Sequence, residues 1–165
     1  MEAVIHPRAQ ELIDRLGLER HPEGGHFAQI FRSADTVSPA DGRSQRRAMT
    51  TIYFLLAAGE HSRWHRVVSD EAWHFYEGAP LELLELTPAL DVLRAHRLGP
   101  LDTTSAPVHV IPAGHWQAAR STGDYTLVGC TVGPGFEFDD FTMLSDLHEI
   151  SADVRRRHPE AAAWI

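Results

Sequence analysis

The chain contains no lysine. All fifteen of its basic residues are arginine, set against twenty-three acidic ones for a net charge of −8. That balance argues against a nucleic-acid partner, because binding to a phosphate backbone runs on counterion release and needs clustered basic charge. The exclusive use of arginine reads as a habit of the source genome. Cysteine is nearly absent as well. A lone Cys130 forms neither an internal disulfide nor a thiolate metal cage, which fits a reducing, cytoplasmic setting. No apolar run is long enough to cross a bilayer, and Met1-Glu2-Ala3-Val4-Ile5-His6 does not read as a signal peptide, so no membrane partner is expected. Internal repeats, low-complexity tracts and linkers are missing too.

What is present is one domain's worth of chain, residues 1–165, rich in histidine (eleven) and punctuated by twelve glycines and ten prolines. Ala9, Leu12, Ile13 and Leu16 recur at helical spacing and Gly17 stands where a left-handed cap would end the helix. His26 to Arg32 reads as a strand, and Ser33 to Arg47 as a polar loop. From Ala48 onward short apolar runs alternate with turn residues such as Gly59, Ser69-Asp70, Gly78-Ala79-Pro80, Gly99-Pro100 and Gly133-Pro134-Gly135. That rhythm marks a sandwich or barrel, and the missing helical crossovers exclude a parallel α/β sheet. Leu147, Ile150 and Val154, followed by Arg155-Arg156-Arg157 and Pro159, read as a closing helix whose basic last turn suits its dipole. The reading is an all-β domain with a short helix at each end, its barrel running from about residue 24 to 143.

Strand parity picks out the candidate chemistry. His65 and Val67 share one face, Trp64 and Arg66 the other; past the Ser69-Asp70 turn, Glu71, Trp73 and Phe75 share a face. A hairpin therefore brings His65 and Glu71 to the inner side. An imidazole beside a carboxylate has a fixed tautomer and a supported positive form, which suits acid–base work.

These residues also carry a resemblance. A glycine, five residues, His-x-His, three or four residues, glutamate, six residues and a glycine form the first motif of the cupin superfamily, which Gly59, His65, Glu71 and Gly78 match. In the second motif Pro112 and Gly114 match, whereas Gln117 stands at the histidine position, Ser121 at the asparagine position and Ala106 at the leading glycine. The second histidine of the first motif is Val67. His21-Pro22-Glu23-Gly24-Gly25-His26-Phe27, Ile52-Tyr53-Phe54-Leu55-Leu56, Ser69 to Gly78, Pro112 to Ala119 and Gly133 to Phe138 are similar to a small single-domain cupin family of largely uncharacterised function. The resemblance implies a cupin-type double-stranded β-helix, that is a jelly-roll barrel, with a pocket and a homodimeric assembly. Cupin metal centres use three histidines and a glutamate. With valine and glutamine in two of those positions no tightly held cofactor is expected here, at most a loosely bound divalent metal.

The expected roles follow. His65 acts as general base, Glu71 as its orienting partner, and Gln117, Trp73, Phe75, Tyr53 and His115 line the ligand pocket. His96 and His109 read as surface residues, His61 as a turn residue, Cys130 as an inert buried thiol, and Gly24-Gly25 as a turn or close strand crossing. The expected function is binding of a small polar metabolite of sugar or sugar-acid type with metal-independent, isomerase- or epimerase-type proton transfer. The rivals are a non-enzymatic small-molecule binder and a metal-dependent dioxygenase-like protein.

Overall fold

The computed structural model describes residues 4–165, so the first three residues of the stretch read against a signal peptide lie outside the description. Thirteen strands and two helices follow one another along it: α1 (Pro7–Leu16), β1 (Glu19–Arg20), β2 (His26–Arg32), β3 (Thr36–Val37), β4 (Arg46–Arg47), β5 (Thr50–Ala57), β6 (His61–Val67), β7 (Asp70–Gly78), β8 (Leu81–Leu86), β9 (Leu93–Leu98), β10 (Val108–Ile111), β11 (Trp116–Ser121), β12 (Tyr125–Gly133), β13 (Phe141–Met143) and α2 (His148–Arg157). Two antiparallel sheets carry the fold, in the orders β1-β2-β5-β12-β7-β10 and β13-β6-β11-β8-β9. Strands adjacent in the chain repeatedly sit in opposite sheets, as in a jelly roll. Among the described residues no helix is long and apolar enough to cross a membrane.

Period-two alternation divides each strand between two environments. Phe54, Trp73, Leu81, Leu83, Ala119, Val128 and Cys130 point between the sheets and form one core cluster. Leu55 and Leu127, from the opposite faces of their strands, pack with Ala9, Leu12 and Ile13 of α1. Trp64, Leu84, Leu86 and Trp116 pack beneath Val154 of α2 and Trp164 of the final turn. The Trp64 indole donates to the Ala161 carbonyl at 3.0 Å, pinning that turn to the sheet. Both helices therefore cover a sheet face that alternation would leave apolar and wet. Gly17 caps α1 at φ 63°, and α2 ends just before Pro159, as the sequence led one to expect.

The Ser33–Arg47 segment departs from a simple polar loop. β3 pairs with β4, and Arg46 grips the buried carboxylate of Asp140 through Nε and Nη2 at 2.8 and 2.9 Å. Arg43 adds a third bond to Asp140 at 2.9 Å. A two-pronged guanidinium–carboxylate contact of this kind fixes orientation as well as distance. Because Asp140 lies between Phe138 and Phe141, the same contact braces the wall of the cavity described next.

Candidate functional site

At one end of the barrel the space between the sheets is not filled. Strands β2, β5, β6, β7 and β12 and the segment around residues 136–141 line a cavity of about 90 Å³ that opens to solvent. Phe27, Phe54, Phe136, Phe138 and Phe141 supply rings to its wall, and His21, Glu23, His65 and Glu71 supply its polar groups. Alternation explains the lining: Thr50, Ile52 and Phe54 of β5, His65 and Val67 of β6, and Cys130 and Val132 of β12 each face inward by steps of two.

His65 and Glu71 line this cavity together, but the direct partner of His65 is another acid. His65 Nε2 stands 3.1 Å from Glu23 Oε2, and Glu23 Oε1 accepts a bond from Ser62 Oγ at 2.8 Å. On the other side of the ring, Nδ1 lies 2.8 Å from the Arg63 carbonyl. A carbonyl only accepts, so Nδ1 carries the proton and Nε2 is the acceptor of a neutral ring. Burial pushes the Glu23 carboxyl above its ordinary range and the His65 imidazole below its own. The consistent arrangement is a neutral carboxylic acid donating to a neutral imidazole. His21, at 3.6 Å from Glu23 Oε2, is likewise held down by burial and packs edge-on against Phe27.

Glu71 is the second acid of the cavity. Gln117 Nε2 donates to its Oε2 at 2.5 Å, while Gln117 Oε1 accepts from the Trp73 indole at 2.8 Å. Burial raises the Glu71 carboxyl. Cys130, beside Glu71, has its thiol pushed well up by burial and by the neighbouring carboxyls. The cavity thus holds two acids shifted up and two imidazoles shifted down, each moved toward neutrality, which is how buried sites prepare groups for proton transfer.

Several residues expected in the pocket stand elsewhere. Gln117 and Trp73 are buried beneath Glu71 and reach the cavity only through it. Phe75 packs on the core between the sheets, away from the cavity wall. Tyr53 turns outward, against α1 and edge-on to Tyr76, because the inward positions of β5 fall to Ile52 and Phe54. His115 shares the inner face with Gln117 as parity requires, yet sits toward the opposite edge and bonds Glu85 at 2.8 Å. His96 and His109, read as surface positions, stack on one another at 3.5 Å beside the same glutamate. His61 opens β6 and its ring packs on Trp164.

Glu23 and His21 were not singled out from the sequence. They lie in an irregular turn whose course depends on Gly24, at φ 110°, where a Cβ would fall 2.0 Å from the His61 carbonyl oxygen. That close approach to β6 is what carries Glu23 to His65. The one available signal was the run His21-Pro22-Glu23-Gly24-Gly25 itself, an acid and an imidazole ahead of two glycines.

The fold and this site define a class: a jelly-roll barrel with a hollow at one end and an acid–imidazole floor. The chain belongs to the cupin superfamily (DUF985), whose model matches residues 10–144. It is similar to a hypothetical protein from Leishmania major (30% identity, 95% of this chain and 96% of that one, TM-score 0.83). It is also similar to a protein from Shewanella oneidensis (34% identity, 94% and 92%, TM-score 0.79). Oxalate decarboxylase from Lactobacillus farciminis shares the fold alone (14% identity, 92% of this chain and 41% of that one, TM-score 0.57). No curated protein matches the chain in sequence.

The metal that cupins commonly hold does not fit the residues here. Of the four family positions, Val67 has no donor atom, and the Gln117 amide is spent on Trp73 and Glu71. His65 Nε2 is engaged by Glu23. Two of the four family positions thus offer no free donor, and among the described residues His21, Glu23, His65 and Glu71 supply no three donor atoms within 4.8 Å of one another.

Proposed function

We propose that the cavity binds a small polar metabolite of sugar or sugar-acid type and moves a proton on it, as an isomerase or epimerase does, without a metal. The observation that carries this reading is the pairing of His65 with Glu23 opposite a second raised acid, Glu71, in one hollow. Ser62 and the Arg63 carbonyl fix the tautomer and the position of the pair. His65 Nε2 takes the proton that Glu23 holds, and the Glu23 carboxylate so formed accepts the proton that leaves the substrate. Glu71, steadied by Gln117, is the acid that returns a proton to the substrate. The rings of Phe27, Phe136 and Phe141 give the wall beside the pair the apolar, aromatic character common in small-molecule pockets.

Candidate sugars and sugar acids are screened by thermal shift, and any that raises the melting temperature is incubated in D2O. The expected result is deuterium entering one carbon position of the ligand, lost in His65→Ala and Glu71→Gln while circular dichroism stays native. A ligand that binds and never exchanges, or exchange untouched in His65→Ala, removes the assignment.

A second reading, binding without chemistry, has its own support. Nearly every polar atom of the floor already has a partner inside the protein, and most of the wall is apolar. The exchange experiment separates the two. A homodimer remains part of the proposal. β1 covers only the His26–Phe27 end of β2, so the Ile30–Phe31 portion is an open strand edge with half-exposed apolar side chains, the feature that strand-edge pairing between copies removes. Light scattering on the eluting protein reads the mass directly.

A further inference from the structure

Away from the cavity, at the opposite side of the barrel, the last strands of the two sheets face each other: β9 ends one sheet and β10 ends the other. Glu85 of β8 shares inward parity with Leu81 and Leu83, and it is almost fully buried there. His96 Nε2 lies 2.7 Å from Glu85 Oε2, and His109 Nε2, arriving from β10, lies 3.8 Å from the same oxygen. His115 Nδ1 bonds the other oxygen, Oε1, at 2.8 Å. Among the described residues, Glu85, His96 and His109 form the one group of three metal-ligating side chains whose donor atoms all lie within 4.8 Å of one another.

Two details set this cluster apart from an ordinary hydrogen-bonded histidine. His109 Nε2 is shielded from solvent and has no hydrogen-bond partner among the described residues, although it lies 3.8 Å from a carboxylate oxygen. A buried nitrogen left without a partner is costly, and in a native protein it calls for an explanation such as an ion. The rings of His96 and His109 are also stacked at 3.5 Å with both Nε2 atoms turned to one oxygen. Two protonated rings would repel in that position, whereas a shared cation would hold both.

We infer that Glu85 Oε2, His96 Nε2 and His109 Nε2 form a divalent transition-metal site of zinc type, with His115 orienting the carboxylate through Oε1. The donor set is two imidazoles and a carboxylate, the borderline chemistry that zinc, cobalt and nickel share. Bond lengths of about 2.0–2.1 Å at tetrahedral angles separate donor atoms by roughly 3.3 Å. The gap of 2.7 Å has to open by about half an ångström and the gap of 3.8 Å to close by as much, shifts that side-chain rotation supplies. Three protein ligands leave one coordination position vacant. Beside it lies a surface hollow lined by His96, His109, Asp102, Thr104 and Ser105, which gives an ion and a small ligand a way in. Arg94, half exposed, approaches Oε1 at 3.7 Å. The site uses none of the cavity residues. Its ligands come from both sheets, so a bound ion would fasten the two open edges together.

The test titrates untagged, chelator-treated full-length protein with Co2+ at neutral pH and follows the visible d–d bands, then displaces the cobalt with Zn2+. The expected result is a band that saturates at one Co2+ per chain, disappears on adding one equivalent of Zn2+, and is matched by a higher melting temperature in the zinc-loaded protein. His96→Ala and His109→Ala lose the band; His115→Ala keeps it with affinity weakened about 10–100-fold, as for other groups that orient a ligand. Glu85→Gln, nearly isosteric, loses the band with a native circular dichroism spectrum and covers the case in which an alanine variant fails to fold. His65→Ala keeps full binding. Absence of a saturating band, or a band that survives Glu85→Gln and vanishes in His65→Ala, overturns the assignment.

Discussion

The sharpest consequence of the cavity geometry concerns Glu23→Gln, a substitution that ordinarily damages a buried ion pair. If Glu23 is a neutral acid, its hydroxyl donates to His65 Nε2 while its other oxygen accepts from Ser62, and a glutamine amide reproduces both bonds. The structural cost is then small, and the pH dependence is the diagnostic. The folded-state pKa of Glu23 is raised above its ordinary value of 4.5, so the folded chain keeps a proton that the unfolded chain releases. Its stabilising contribution is complete below that value and is lost as the pH rises toward the folded pKa. In that window one retained proton tilts the unfolding free energy by about −1.4 kcal/mol per pH unit. Glutamine removes the tilt. Glu71, also raised, is present in both proteins; burial, the main cause of its shift, is common to both, while the part owed to Glu23 is lost in Glu23→Gln. Over the interval in which the folded acid keeps its proton, the wild type should therefore lose stability relative to Glu23→Gln as the pH rises. Urea denaturation at half-unit pH steps measures the difference. His65 and His21 act with the opposite sign, their depressed values costing stability as the pH falls below 6.5. From about 4.5 to 6.5 the folded Glu23–His65 pair holds one proton on the acid, and the unfolded pair holds one on the imidazole. That pair then contributes no slope. Parallel curves for wild type and Glu23→Gln above pH 6 would refute the neutral-acid assignment.

Gly24→Ala should be far more damaging than Gly42→Ala, although both glycines have positive φ. A Cβ at Gly24 meets backbone 2.0 Å away and one at Gly42 meets nothing within 4 Å, so the expected losses are above about 3 kcal/mol and about 1 kcal/mol respectively. Comparable melting temperatures for the two variants would show that the turn yields more easily than its packing implies. Cys130 is buried, with its thiol pushed up, so native protein should leave a disulfide reagent unreacted and release one equivalent on unfolding in urea; prompt reaction of the native protein would mean that the cavity opens to admit the reagent.

Much of the fold was legible because its signals are local. Turn residues at short intervals separated the strands, and alternation placed His65, Val67, Glu71 and Trp73 inward before any contact was known. The helical spacing of Ala9, Leu12 and Ile13 found the apolar face of α1. The site was legible only in part. His65 and Glu71 followed from motif spacing, but the pairing of His65 with Glu23 bridges a turn and a strand about forty positions apart in the chain. Tyr53 shows the limit from the other side: an aromatic in a strand next to the pocket reads as a wall until the register decides which face it takes. The Ser33–Arg47 segment looked like loose polar chain because its anchor, Asp140, lies far along the sequence.

The sequence by itself determined the all-β class, the strand rhythm, the two covering helices and the inward parity of the first candidate pair, because these depend on periodicities of two and 3.6 residues within single segments. The tertiary structure alone decided which acid meets His65, and that Glu85, His96, His109 and His115 converge at the far edge. Each of those meetings depends on strand order and register between segments distant in the chain. Burial then sets the charge of the groups brought together: Glu23 is enclosed with an imidazole and pushed toward its neutral form, whereas Glu82 stands at the surface beside Arg120.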